Sequence, residues 1–376
     1  MAEALKNMLS QKTIVAMSHH FKKHYHLFDE KGFVKDASDN FEQLELKART
    51  QRITQTMIDY LPKEFEKAAD ILLKSLGTEL DDDLADCGID ENGIAGWATM
   101  SLSYFVALKG KDHFKLSMRL LREMTKRASA EFDIRFFLQD QTEQTLRQLH
   151  DWLDDDNQHI RRLVSEGTRP RLPWGMSLTV FINDPSPVIA LLEKLKDDEK
   201  EYVRRSVANN LNDISKDHPK LVTRIAKQWM KNASSERVKL IRHACRSLMK
   251  DGDKNVLAIF GYIRPQLKKT TISLISTDVV FGESLEFELV LNSNVKQDQP
   301  LMIDYIIHHR KANGTTSPKV FKLRSTILKA EQEMTVSKRH AIKKITTRKY
   351  YAGKHQLEVV VNGDSIGKKD FELIMP

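Results

Sequence analysis

A change of hydrophobic period near residue 267 constrains what this chain can fold into more than any other feature. Up to about Gln266, apolar residues recur at three- and four-residue steps, the spacing of one face of a helix. Phe114–Ala128, Gln141–Leu153, Glu201–Ile214 and Arg237–Lys250 are read as helices, separated by breakers such as Asp155-Asp156-Asn157, Asp217-His218-Pro219 and Asp251-Gly252-Asp253. A weak repeat runs through them. Ile160-Arg161-Arg162-Leu163-Val164 aligns with Val203-Arg204-Arg205-Ser206-Val207, 43 residues on, and with Ile241-Arg242-His243-Ala244-Cys245 after another 38. Two helices per unit at a period near 40 is the signature of HEAT or armadillo repeats, which stack because no unit can bury its apolar face alone. An irregular helical bundle with a chance repeat is the alternative.

After Leu267 the apolar residues alternate. Leu285, Phe287, Leu289 and Leu291 face one way, with Glu286, Glu288 and Val290 between them. Similar runs at Thr271–Ser276, Met302–His308, Val320–Leu328, Glu333–Lys338, Gln356–Val361 and Asp370–Ile374 bring the strands to seven. Asn362-Gly363 is a hairpin-turn signal. Seven short strands in roughly 100 residues suggest an immunoglobulin-like sandwich. The expected fold is therefore mainly α: an α-α superhelix of HEAT-like repeats over residues 1–267, then a β-sandwich over 268–376. A chain of 376 residues is long enough for two cores.

Composition narrows the class. No apolar run is long enough to span a bilayer, and Met1–Lys12 lacks the apolar core of a signal peptide. Cys87 and Cys245 are too few for a disulfide framework or thiolate metal cage. A cytoplasmic monomer is expected. The net charge is +8, and residues 268–376 hold 18 Lys/Arg against 12 Asp/Glu, so six of the eight positive charges lie there. A basic balance points to polyanionic partners.

The densest constellation runs from Arg161 to Trp174. Arg162 and Glu166 sit one turn apart on one helical face, and Gly167 can end that helix. A proline-punctuated loop follows with Arg169, Arg171 and Trp174. Arginine fits phosphate bidentately and tryptophan stacks on bases, so these residues and Arg162 are candidate DNA contacts. Phosphates repel carboxylates, so Glu166 suggests chemistry beyond binding. The residues alone leave a plain reading open: Glu166 pairs with Arg162, and Trp174 fills a core gap.

The string Glu166-Gly167-Thr168-Arg169-Pro170-Arg171-Leu172-Pro173-Trp174, preceded by an arginine-bearing helix, resembles the AlkC-type DNA alkylation-repair glycosylases, relatives of the AlkD-type HEAT-repeat glycosylases. The likeness extends to Ala130–Arg135 upstream, Val203–Asp213 downstream and the terminal sandwich. It implies an enzyme that excises N3-alkylated bases, 3-methyladenine and 3-methylcytosine, from double-stranded DNA and starts base excision repair. It implies Glu131, Glu166 and Asp213 as the catalytic carboxylates, with Arg162 and Trp174 lining the site. The chemistry agrees. An N3-alkylated base is already cationic and leaves neutral, while positive charge moves onto the sugar. An ionised carboxylate there is worth more in the transition state than in water and can activate the attacking water. Neither metal nor cofactor is called for.

Apart from the resemblance, Glu131 reads as a surface acid and Asp213 as a polar residue at a helix end, although Asn209, Asn210 and Asn212 before it are poor helix formers. Arg205 and Arg242, at matching repeat positions, are further phosphate-binding candidates. One arginine of each adjacent pair is expected instead to pair with Asp197, Asp198 or Glu201. Arg310, Lys311, Lys338, Arg339, Lys343, Lys344, Arg348 and Lys349 give the sandwich either a DNA-facing or a solubilising charge. His19, His20, His24 and His26 lack a third ligand at metal spacing; Asp81–Asp83 and Asp154–Asp156 read as solvated turns or helix N-termini. A non-catalytic HEAT scaffold binding DNA or protein is the competing function.

Overall fold

The computed structural model describes residues 5–79 and 88–375; Asp81–Asp83 and Cys87 lie outside them. The chain divides into two compact units, the first running to His218 and including Ser234–Ala244, the second Pro219–Ala233 and the residues from Cys245. Helices come first: α1 (Gln11–His24), α2 (Glu30–Ser38), α3 (Leu46–Tyr60), α4 (Phe65–Ser75), α5 (Thr99–Lys109), α6 (Phe114–Thr125), α7 (Ile134–Asp140) and α8 (Thr142–Asp151). They continue with α9 (Gln158–Gly167), α10 (Thr179–Asn183), α11 (Ser186–Leu195), α12 (Glu201–Ile214), α13 (Pro219–Trp229), α14 (Ser235–Ala244), α15 (Arg246–Lys250) and α16 (Lys254–Ile259). Strands follow from Leu267.

In the first unit, the three repeated pentapeptides fall on α9, α12 and α14, and α12 packs against both others. Their apolar positions form the seam: Ile160, Leu163 and Val164 of α9, Val203, Val207 and Leu211 of α12, and Leu240 and Ile241 of α14 are buried. The repeat is thus a stacking repeat, each helix burying its apolar stripe on the next. Helix α12 has the bounds that the periodicity implies. The single helix expected over Arg237–Lys250 is instead two, α14 and α15, interrupted at Cys245.

The second unit contains α13, α15 and α16 together with eight strands: β1 (Leu267–Leu274), β2 (Asp278–Val280), β3 (Ser284–Ser293), β4 (Gln299–Arg310), β5 (Thr316–Leu328), β6 (Glu333–Ala341), β7 (Gly353–Val361) and β8 (Asp364–Ile374). They form a three-stranded sheet, β1-β3-β6, and a five-stranded one, β2-β8-β7-β4-β5. Leu285, Phe287, Leu289 and Leu291 from the first sheet and Ile303, Tyr305, Leu357 and Val359 from the second share one core, as the alternation requires. The eighth strand is β2, three residues paired in parallel with β8 and too short to show a period. Among the described residues, no helix is long and apolar enough to cross a membrane.

The β7–β8 hairpin turns on Asn362-Gly363, both in left-handed backbone (φ 50° and 80°), with Val361 paired to Asp364 across it. The Asn362 side chain accepts from Met302 N (2.7 Å) and donates to the carbonyls of Ile263 (2.7 Å) and Pro300 (3.0 Å). Gly363 packs so closely that a Cβ there would lie 2.6 Å from the Gly252 carbonyl oxygen. Gly363→Ala is expected to destabilise the chain by about 1–3 kcal/mol, the cost of a strained left-handed residue. Chemical denaturation measures this, and an unchanged midpoint would contradict the turn's role.

Candidate functional site

Helix α9 begins at Asn157, whose side chain accepts from His159 N (2.9 Å), and ends at Gly167. Gly167 has no left-handed φ and so is not the expected C-terminal cap. It is required for another reason: a Cβ there would sit 2.7 Å from Ile134 of α7. This close approach carries α9, with Arg162 and Glu166, onto the turn that holds Glu131.

Five charged side chains then alternate in sign. Arg162 donates to Glu131 and lies 3.5 Å from Glu166 Oε1. Arg169 donates to Glu166 Oε1 (2.6 Å) and through Nε to Asp213 Oδ2 (2.8 Å). Lys216, a half-exposed neighbour, reaches Asp213 Oδ1 (2.9 Å). Hydroxyls complete the network. Ser129 donates to Glu131 (2.7 Å) and accepts from Arg162 (2.8 Å), and Ser206 donates to Glu166 Oε2 (2.6 Å). The Arg162 guanidinium also lies 5.3 Å from the Tyr202 ring centroid, a cation–π contact. The three carboxylates are thus balanced by the guanidinium groups of Arg162 and Arg169, by the Lys216 ammonium and, within electrostatic reach, by Arg135.

Burial sets the electrostatics. Burial alone would push the Glu166 carboxyl up, but Arg162, Arg169 and the Ser206 hydroxyl outweigh it and hold Glu166 below the usual carboxylate range. Burial would likewise lower Arg162, yet Glu131 and Glu166 raise it. Of the three carboxylate side chains, Glu131 is the most accessible at 15% exposure, against 7% for Glu166 and 4% for Asp213. Asp133, two residues from Glu131, turns instead to Ser103 (2.6 Å).

Arg135, with no exposed surface, anchors the loop that leaves α9. Its guanidinium donates to the carbonyls of Gly167 (2.8 Å), Arg169 (2.7 Å) and Met176 (Nε, 3.0 Å), stapling the loop at both ends. Burial and nearby Arg169 bring it down to about 10, still charged at neutral pH. The loop presents Trp174 at 59% exposure with φ of 65°, while Lys47 donates to its carbonyl. Trp174 therefore fills no core gap. A bulky residue held exposed in left-handed backbone is strain that packing must support.

The structure thus brings together Glu131, Arg162, Glu166, Arg169 and Asp213. Arg171 is drawn aside into a bidentate pair with Asp217 (2.9 and 2.8 Å). Arg205 and Arg242 are exposed on α12 and α14. Arg161 is the member of its pair that points away, buried against Asp198 (2.7 Å). The asparagines before Asp213 act as ties: Asn210 donates to the Ser165 carbonyl (2.7 Å), and Asn209 bonds His243 (2.9 Å). His20 bonds the Asp90 carbonyl and His19 pairs with Glu30. The Cys245 thiol is buried and pushed up to about 12.

Sequence reasoning missed Arg135, Ser206, Ser129 and Tyr202. Two left a signal. Arg135 is a lone cation in the apolar run Ile134–Leu138, and Ser206 is a hydroxyl where the aligned α9 copy has Leu163.

Residues 128–248 match the family described as DNA alkylation repair enzyme, and residues 268–375 match the C-terminal Ig-like domain of uncharacterised protein YhaZ. The uncharacterised protein YhaZ of Bacillus subtilis (strain 168) is 36% identical over 371 residues, covering 98% of this chain and 99% of its own. Pseudomonas fluorescens alkylpurine DNA glycosylase AlkC, solved bound to DNA containing an abasic site analog, is 33% identical with a TM-score of 0.86, covering 99% of this chain and 100% of that one.

Asp133 supplies a pH test of this geometry. Burial, reinforced by the Glu131 charge and opposed by the Ser103 bond, pushes its carboxyl from 3.8 up to about 7. The folded state therefore binds more protons than the unfolded one between those values, so this group's stabilising contribution is present at low pH and lost as pH rises to about 7. Asp133→Asn removes that loss. Its stability relative to the original chain should climb from about pH 4 to about pH 7 and then level off. A difference independent of pH in denaturant titrations would contradict the buried carboxyl.

Proposed function

The chain belongs to the AlkC-type family of DNA alkylation-repair glycosylases, and from that membership and the charge cluster we propose that it hydrolyses the N-glycosidic bond of N3-alkylated bases in double-stranded DNA, with Glu131, Glu166 and Asp213 as its carboxylates. It is a DNA glycosylase. The finer reading concerns which bases it takes and which side chains do the work.

A single observation carries this reading: three carboxylates, Glu131, Glu166 and Asp213, are gathered into one side-chain network inside a chain whose net charge is +8. A site that only gripped phosphate would gain nothing from gathering carboxylates. A site that stabilises cationic deoxyribose would. In 3-methyladenine or 3-methylcytosine within DNA, the base carries the positive charge; as the bond breaks, the charge moves to the sugar and the base leaves neutral. Glu131, the most accessible of the three, is the carboxylate best placed to face that sugar or to orient and deprotonate the attacking water. Glu166 acts from behind, holding Arg162 and Arg169 in place, and Arg162, the more accessible of the two, can reach a flanking phosphate. Asp213 holds Arg169 from the other side. Arg171, Arg205, Arg242 and exposed Trp174 extend the DNA contact, and the protein works as a monomer.

Incubation with methylated DNA should release free methylated base. Glu131→Gln and Glu166→Gln should each lower excision by at least about 100-fold, the scale seen when one preorganised electrostatic group is removed. Binding to the same duplex should change only a few-fold, with folding checked by thermal melting. Full activity in both variants would overturn the assignment, and an original chain that releases no base would overturn the substrate reading.

A further inference from the structure

Lined in part by Phe132 and Asp133 is a cavity of about 190 Å³ whose interior has no role in the chemistry above, although its rim includes Trp174. Gln51 of α3, Tyr104 of α5, Phe132, Asp133, Phe136 and Trp174 are among its walls. Tyr104 and Phe136 present tilted rings 5.8 Å apart. Trp174 forms part of its rim and is fixed there twice over, by Lys47 on its own carbonyl and by Arg135 on the Met176 carbonyl. Asp133 is the buried acid in the lining: one carboxyl oxygen takes the Ser103 hydroxyl, and the group still borders the space.

Size, walls and position narrow the occupant. The volume falls below the roughly 300–1,000 Å³ of pockets for drug-sized ligands, so it fits a single ring system and not a nucleoside or peptide. Aromatic faces on several sides suit a flat π-system, and stacking on them is indifferent to which base is presented. Asp133 is the one carboxyl in the lining, which also holds Lys47, Thr50 and Gln51, and it suits the ring N–H or amino edge that every purine and most pyrimidines carry. Only Phe132 separates Asp133 from Glu131 in the chain, so an occupant would sit close to the carboxylate assigned above to the sugar.

We propose that this cavity is a nucleobase subsite that takes one unstacked base, its face against Tyr104 and Trp174 and its polar edge toward Asp133. The inference rests on the glycosylase reading. Two sources share this chemistry: the base set free by excision, and a base of the duplex displaced beside or opposite the lesion.

The experiment uses the full chain, with Tyr104→Ala, which removes one wall, and Gln51→Trp, which fills the mouth from an exposed helical position. In one arm, free 3-methyladenine is titrated as an inhibitor of excision from methylated DNA. In the other, 2-aminopurine placed opposite or beside an abasic-site analogue reports unstacking by its fluorescence. Inhibition weakened about tenfold in both variants, with the fluorescence unchanged, assigns the released base. A fluorescence response in the original chain that both variants lose assigns a base of the duplex. If the original chain excises while neither arm separates it from the variants, the subsite is overturned and the glycosylase reading stands. If the original chain excises nothing, both fall together.

Discussion

The structure of the site depends on a row of buried and partly buried charges that neutralise one another pair by pair. Glu131, Arg162, Glu166, Arg169 and Asp213 come from two turns and two helices, and none is satisfied by its own element alone. Taking one such charge out of water costs several kcal/mol, and deleting one partner of a buried pair typically costs about 3–5 kcal/mol. The row therefore ties α9 to α12 and to the turn before α7, since no member can be lost without leaving a charge unpaired. Apolar residues of similar volume would often stabilise a fold as well or better. Keeping charges at such a cost suits a site that uses them.

The repeat scaffold makes the row possible. Arg162 and Glu166 share a face because they are four residues apart on α9, and Arg169 returns to Glu166 from one turn beyond. Stacking α12 on α9 then brings Ser206 beneath Glu166, Asn210 against the Ser165 carbonyl and Asp213 against Arg169. Where an ordinary repeat helix would present another apolar stripe, α12 presents a serine, two asparagines and an aspartate, all buried. Arg135 extends the same logic to the loop: its donors satisfy three backbone carbonyls from the end of α9 onward, where residues 168–178 have no helix or strand to do so.

Periodicity revealed what periodicity records. The bounds of α12, the alternation that buries Leu285, Phe287, Leu289 and Leu291, and the Asn362-Gly363 hairpin all follow from local spacing. The break at Cys245 and strand β2 do not, because a one-residue interruption and a three-residue strand leave no period to detect. The Arg162–Glu166 pair was legible as i, i+4, whereas the partnership of Arg162 with Glu131 and of Arg169 with Asp213 spans 31 and 44 residues and depends on how the repeats stack. Gly167 shows the same limit. Its position suggests a left-handed cap, but the reason for glycine is Ile134, a neighbour in space that no spacing rule identifies.

The charge distribution resolves an apparent contradiction between gripping DNA and holding carboxylates against it. Beyond a Debye length of about 8–10 Å, a phosphate backbone responds to the overall positive charge of the chain, so approach is favourable. Within that distance the arginines of the row are the groups suited to phosphate, and on the reading proposed above Glu131, the most accessible carboxylate, is the group that meets the sugar. At that range a carboxylate favours a group that has become cationic, and in a duplex that is the damaged nucleotide alone. On that reading one network holds an anion through its arginines and stabilises a cation through a carboxylate, because the two charges meet different side chains.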